Sequence, residues 1–178
     1  AIVVLDEAYI EFSERESFAK RVKEFPHLAL VRTLSKAFGL AGIRFGFVVA
    51  SSGLINVLKK VISPYPLPVP AIAVAEAALL PENIQIMQEN RAKVLIGRKS
   101  LESALSELQC VKKIYPSESN FLLVSVTDSK AIFDYLSHLG IFVRYQSTDR
   151  LKNTLRISVG LPQEQEALIA ALTAFDTQ

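Results

Sequence analysis

The chain has 178 residues, 50% hydrophobic and 21% charged, a globular composition with length for one sizeable domain or two small ones. Its 20 basic and 18 acidic residues leave a net charge of +2 without any block of like charge, which argues against nucleic acid or an anionic membrane surface as a partner. Cys110 is the only cysteine, so an intrachain disulfide is excluded. His27 and His138 have no metal-ligand spacing around them, and no metal site is expected. With no apolar run near the ~18 residues of a membrane span and no signal segment, a cytoplasmic location is expected.

The chain opens on AIVVLDEAY, without an initiator methionine and already inside an apolar, β-branched run. Such strands usually lie within a parallel sheet with neighbours on both sides, so the chain is expected to be part of something longer. Strands are predicted at residues 2–5, 28–32 and 43–50, with a short helix over 17–24 closed off by Pro26. Ser51 or Ser52 can cap a helix running to about residue 62. This order is β-α-β with buried strands, the pattern of a mainly parallel α/β sheet.

The run SPYPLPVP, residues 63–70, must be extended or turning. A helix is expected over 71–80 and another from Pro81. Ile84, Met87, Val94, Leu101, Leu105 and Leu108 recur mostly at sums of three and four, which predicts one long amphipathic helix over 82–108, a domain connector. Beyond it the expected order is strand 111–115, strand 121–126, helix 129–139, strand 141–143, strand 154–159 and helix 162–175. That is a compact α+β unit. The expected division is therefore near residues 76–84. Residues 1–80 would be the C-terminal part of a larger α/β domain, and 81–178 a small α+β domain.

Open α/β sheets bind ligands outside the carboxyl ends of their strands. Asp6 ends the first predicted strand, Tyr9 follows three residues later, and Ser35 and Lys36 come just after the second. With parallel strands, an acid, a phenol, a hydroxyl, an amine and the guanidinium of Arg44 would converge on one crevice. Pyridoxal phosphate requires such a set. An amine forms the Schiff base and a carboxylate keeps the pyridine nitrogen protonated. A phenol can hydrogen-bond the ring oxygen, a serine and an arginine can hold the phosphate, and Gly39, Ala41 and Gly42 let backbone approach the cofactor.

Two motifs, DEAYIEF at 6–12 and TLSKAFGLAGIRFG at 33–46, resemble those of the fold-type I pyridoxal phosphate aminotransferases, in particular the histidinol-phosphate aminotransferases of histidine biosynthesis. The resemblance continues through KVISPYPLPVP (60–70), SNFLLV (119–124) and TLRISVG (154–160), and so spans essentially the whole chain. It implies that Lys36 is the Schiff-base lysine and proton shuttle, that Asp6 pairs with the pyridine nitrogen, and that Tyr9 reaches the ring oxygen. Ser35 and Arg44 would bind the cofactor phosphate with Thr33 as a helper. Arg156, and Arg144 in FVRYQ, would bind substrate anions. A pair of arginines suits a donor ending in phosphate and an acceptor, 2-oxoglutarate, ending in carboxylates. Tyr65 and Asn120 could reach substrate, but packing and turn roles are open for them.

The resemblance also implies a homodimer, and an N-terminal portion of the large domain carrying a ring-stacking aromatic, part of the phosphate cup and an asparagine. The chain alone is accordingly expected to be inactive, with exposed sheet edge and apolar surface. Three alternatives stay open. One is a related pyridoxal phosphate enzyme, such as an aromatic aminotransferase or a phosphothreonine decarboxylase. The second is a non-catalytic binding or assembly module of the same fold, and the third a nucleotide-binding α/β domain.

Overall fold

A computed structural model describes residues 1–177. The backbone divides into one compact unit of Ala1–Arg91 and a second from Ala92 onward. The division falls inside a single long helix.

In the first unit, strands β1 (Val3–Asp6), β2 (Leu28–Thr33) and β3 (Gly46–Ala50) form a sheet in the order β1-β2-β3. β1 and β2 are parallel, and the chain between them runs through 3-10 turns at Ile10–Phe12 and Phe18–Glu24. The predicted helix near residue 17 is thus a 3-10 segment, opened by Ser17, whose Oγ accepts from Ala19 N at 3.0 Å. β3 runs antiparallel to β2, so one of the two pairings departs from the mainly parallel sheet expected. The connecting residues 34–45 hold a 3-10 turn at Ala41–Ile43 and no crossover helix, so the chain turns back beside β2. Its turn is closed by Leu34 N to Phe45 O at 3.1 Å and Leu40 N to Leu34 O at 3.1 Å.

Leu28, Ala29, Leu30 and Leu34 are buried, as strands inside a sheet require. β1 forms the exposed sheet edge expected of this chain. It pairs with β2 on one side, and Ile2, Val3 and Val4 stay 49–64% exposed. Helix α1 (Ser52–Leu58) starts at the Ser51 cap, and α2 (Val69–Ala78) follows the proline run. Pro68 and Pro70 can stand there because the first helical N–H groups have no intrahelical acceptor.

Helix α3 (Pro81–Ser106) carries the chain into the second unit. There β4 (Val111–Ile114), β5 (Phe121–Val126), β6 (Arg144–Tyr145) and β7 (Thr154–Ser158) form an antiparallel sheet in the order β4-β5-β7-β6. Alternation aims Leu122, Val124 and Val126 of β5, with Leu155 and Ile157 of β7, at one face. Against them lie Leu101 and Leu105 of α3, Ile132 and Leu136 of α4 (Ser129–His138), and Leu168, Ala171 and Leu172 of α5 (Pro162–Asp176). β6 begins later than the predicted 141–143. Gly140, at φ +75°, closes α4, and Ile141 N donates to Leu136 O at 2.9 Å, so these residues serve as a helix cap. Among the described residues, no helix is long and apolar enough to cross a membrane.

Candidate active site

The pairing of the first sheet decides which residues share an edge. Asp6, the last residue of β1, lies opposite Val31, so β2 continues to Thr33 at the edge where β1 ends. Thr33 in turn pairs with Gly46, the first residue of the antiparallel β3. Asp6, the 33–36 segment and the 44–46 segment therefore emerge together. Gly46 matters to that closeness: a Cβ there would meet the Arg32 carbonyl oxygen at 3.2 Å.

Each predicted residue at this edge is held by local bonds. The exposed carboxylate of Asp6 is steadied by its Oδ1, which accepts from Ala8 N at 2.9 Å. The chain then turns, with Ile10 N on Glu7 O at 3.2 Å and Phe12 N on Tyr9 O at 2.9 Å. This turn carries Tyr9 to the 33–36 segment, where Lys36 Nζ stands 5.1 Å from the centre of the Tyr9 ring. A cation over a phenol face at that distance is an attractive contact. Gly39 N donates to Lys36 O at 3.0 Å, and Gly39 sits at φ +68°, where a side chain would be strained.

Thr33 Oγ1 lies 2.9 Å from both Ser35 Oγ and Phe45 O and accepts from Ser35 N at 3.0 Å. A carbonyl can only accept, so the Thr33 proton goes to Phe45 O, and Ser35 O–H is the donor between the two hydroxyls. Arg44 occupies the left-handed region at φ 56°, with Nη1 donating to Ala41 O at 3.0 Å. Beside it, a Cβ on Gly42 would have open space within 4 Å.

Sequence reasoning missed four residues around this edge. Glu7 is buried, its carboxylate accepting from Ser17 Oγ at 2.6 Å and from Phe18 N at 2.8 Å. Glu11 is ion-paired with Arg32, and its carbonyl accepts from Arg91 Nε. The available signal was a charged residue inside an otherwise apolar strand end, VRT, and a second acid after the DEAY motif.

In the second unit, Arg144 and Arg156 are directly opposite one another on β6 and β7. Both are exposed, and the Arg156 guanidinium lies 5.1 Å over the Phe121 ring. Like charges opposed on neighbouring strands repel, which an anion between them would reverse. Asn120 O accepts from Val159 N at 2.9 Å, a sheet-end bond. Tyr65 is 91% exposed.

The sequence profile of the family described as "Aminotransferase class I and II" matches residues 1–172. The chain belongs to this family. It is 47% identical over 97% of its length to histidinol-phosphate aminotransferase 1 of Pasteurella multocida, of which it covers 49%. The chain spans about half the length of the curated relatives it matches. Among solved aminotransferases, it superposes on histidinol-phosphate aminotransferase from Sinorhizobium meliloti, in complex with pyridoxal-5'-phosphate, with a TM-score of 0.87. Identity to that protein is 29%, and the match covers 99% of this chain and 49% of the other. The L-threonine-O-3-phosphate decarboxylase of Porphyromonas gingivalis aligns with TM-score 0.85 at 23% identity, over 98% of this chain and 55% of that one, a likeness of fold alone.

Proposed function

We propose that the protein to which this chain belongs is a pyridoxal phosphate-dependent aminotransferase. Its reaction is transfer of an amino group between L-histidinol phosphate and 2-oxoglutarate, in histidine biosynthesis, as a cytoplasmic homodimer. The observation that carries the reading is the Lys36 amine over the Tyr9 ring at the edge where β1 delivers Asp6. The 47% identity to a histidinol-phosphate aminotransferase supports the substrate.

The donor set fits the cofactor. An amine, a carboxylate, a phenol, two hydroxyls and a guanidinium share one sheet edge, and Gly42 leaves open space beside Arg44. When bound, pyridoxal phosphate supplies the electron sink that lets an amino group move between carbon skeletons. Lys36 would hold it covalently and Asp6 would keep its ring nitrogen protonated. Tyr9 O–H would hydrogen-bond the ring oxygen. Ser35 O–H, now given to Thr33, would turn to the phosphate, and the Arg44 fork would pair with the same group.

In catalysis Lys36 Nζ takes and returns the proton at the substrate carbon. The Tyr9 ring restricts where that amine can stand. Arg156 and Arg144 would bind the substrate phosphate and the carboxylates of 2-oxoglutarate. A planar guanidinium accepts either anion in a bidentate fork, so one cationic pair serves both partners.

The test uses the full-length protein to which this chain belongs, pyridoxal phosphate and borohydride, with the modified peptide mapped by mass spectrometry. Stoichiometric labelling at Lys36 alone is expected, and loss of it in Lys36→Ala. Labelling scattered over many lysines would count against a formed site.

A further inference from the structure

The Tyr9 arm and the Lys36 arm leave the sheet as separate loops, so something beyond the ladder must set their spacing. The strand pairing ends at Asp6 opposite Val31, followed by a backbone bond from Glu7 N to Val31 O at 2.9 Å. Two residues past Tyr9, Glu11 reaches across to Arg32, four residues before Lys36. Their side chains are only 14% and 23% exposed, and the same Glu11 accepts Arg91 Nε on its carbonyl. The arm is therefore gripped at both its side chain and its backbone.

We propose that the Glu11–Arg32 ion pair is a positioning device that sets the Tyr9 ring against the Lys36 amine. Its catalytic meaning rests on the reading of Lys36 given above, but the ring–amine proximity itself exists without cofactor.

Three features favour this over an ordinary stabilising pair. The links are short and stiff. Glu11 lies in the 3-10 turn whose Phe12 N bonds Tyr9 O at 2.9 Å, and Phe12 is 3% exposed. On the other side, Arg32 joins Lys36 through Leu34, which is 2% exposed and bonded at both N and O. Removing one charge of a shielded pair leaves the other unpaired in a poorly solvated place, so the partner must swing toward water. That movement pulls on one arm and not on the other. Glu7, by contrast, bonds Ser17 and Phe18 and holds the loop beyond Tyr9.

The experiment follows the proximity of Tyr9 to Lys36 in the chain without cofactor. In chain isotopically labelled at Tyr and Lys, a nuclear Overhauser effect reports ring-to-ε-methylene proximity. Competitive acetylation read by mass spectrometry reports the exposure of Lys36. Glu11→Gln and Arg32→Gln should each weaken the Overhauser effect and raise the Lys36 labelling rate roughly two- to five-fold, the worth of an exposed cation–π contact. The exchange Glu11→Arg with Arg32→Glu should restore both.

Wild-type values in the single variants overturn the proposal, and so does a charge exchange that restores neither the Overhauser effect nor the protection of Lys36. Where circular dichroism shows a single variant unfolded, Glu11→Asp and Arg32→Lys replace it. They keep the charge and alter the reach, and the same two readouts decide. Borohydride labelling with pyridoxal phosphate is read separately. In the full-length protein, no labelling at Lys36, with a ring–amine proximity that responds to the ion pair, sinks the functional reading and leaves the device standing. Labelling at Lys36 with an unresponsive proximity does the reverse.

Discussion

The two units of this chain invest their apolar residues differently. The second gathers Leu101, Leu105, Leu122, Val124, Ile132, Leu136, Leu155 and Leu172 into one core, each at most 2% exposed. In the first, Leu30 and Leu34 reach that level, while Ile2, Val3, Val4, Val57, Val61 and Ile62 lie 49–81% exposed. The residues proposed to hold the cofactor sit on the unit with the thinner core. There, position is fixed by polar ties of named geometry: Asp6 to Ala8, Glu7 to Ser17, Glu11 to Arg32, Thr33 to Phe45. Buried apolar area stabilises without direction, whereas hydrogen bonds and ion pairs fix where an atom stands. In this chain, which spans about half the length of the relatives it matches, the first unit thus relies more on directed polar ties and the second more on buried apolar area.

The sharpest way to break this contrast is to make a cavity in the thicker core. Leu136 is 0% exposed, packed with Ile132 and Leu168 in the same cluster. Leu136→Ala should cost ~2–5 kcal/mol, the range for deleting a buried leucine side chain. In urea the chain should unfold in two steps, with amides of the first sheet exchanging before Leu122 and Val124. Leu136→Ala should move only the later step. A single transition shifted as a whole by this substitution would show that the two units unfold as one, and the contrast in cores would then carry no energetic meaning.

What the sequence disclosed follows the same division. β5 was legible to the residue because Phe121–Val126 is a short, largely apolar run, and in the fold every second side chain enters the core. The edge carrying Lys36 was legible because its motif is local: Thr33, Ser35, Lys36 and Arg44 lie within twelve residues of one another. β1 was legible as a strand from its apolar run, and so was its exposed edge, because a run that apolar calls for neighbours on both sides and the described sheet places one on a single side. The direction of β3 depends on whether its connection forms a crossover helix, and 34–45 forms only a 3-10 turn, a weaker cue than its hydrophobic pattern. Glu11 and Arg32 are 21 positions apart, and only the parallel pairing of β1 with β2 brings their loops together. Pairwise ties of that kind have no signature in a window of sequence.

A second prediction tests polar restraint inside the thick-cored unit. The carboxylate of Asp176, at the end of α5, accepts from Gln109 N at 2.7 Å and Cys110 N at 2.8 Å, so it fastens the end of α5 to the start of β4. Cys110 is 3% exposed, and burial, reinforced by a hydrogen bond and charge from Asp176, pushes its thiol from 9.0 to about 12. The sign is set by which state holds the proton. Below pH 9 both folded and unfolded thiols keep it and stability is unaffected. Between 9 and about 12 the unfolded thiol has lost its proton and the folded one has not, so stability falls as pH rises. Asp176→Asn weakens two of the causes and leaves burial, so the fall should begin to level off at lower pH. It should also cost about 1–2 kcal/mol from weakened charge-assisted bonds. Native-state alkylation of Cys110 across pH 8–11 measures the first effect and urea unfolding the second. An unchanged alkylation profile would mean that burial alone governs the thiol.

The smallest expected difference lies between two helix caps of unequal quality, one per unit. Asp128 Oδ1 accepts from both Lys130 N and Ala131 N at 3.0 Å and so satisfies two N–H groups at the start of α4. Ser51 Oγ accepts from Leu54 N at 3.5 Å, the limit of a hydrogen bond, while its own proton is given to Pro26 O at 2.9 Å. Asp128→Ala should therefore cost ~1 kcal/mol, typical of a removed N-cap. It also removes a negative charge that favours a helix N-terminus. Ser51→Ala should cost no more than the low end for a removed cap, about 0.5 kcal/mol, plus whatever the bond to Pro26 contributes. That bond ties α1 to the residues just before β2, so Ser51→Thr, which keeps the hydroxyl, separates the two effects. If Thr restores what Ala loses while helix content is unchanged, the serine acts mainly as a tie between loop and helix. The first unit would then again be held by a directed polar contact where the second uses a conventional cap.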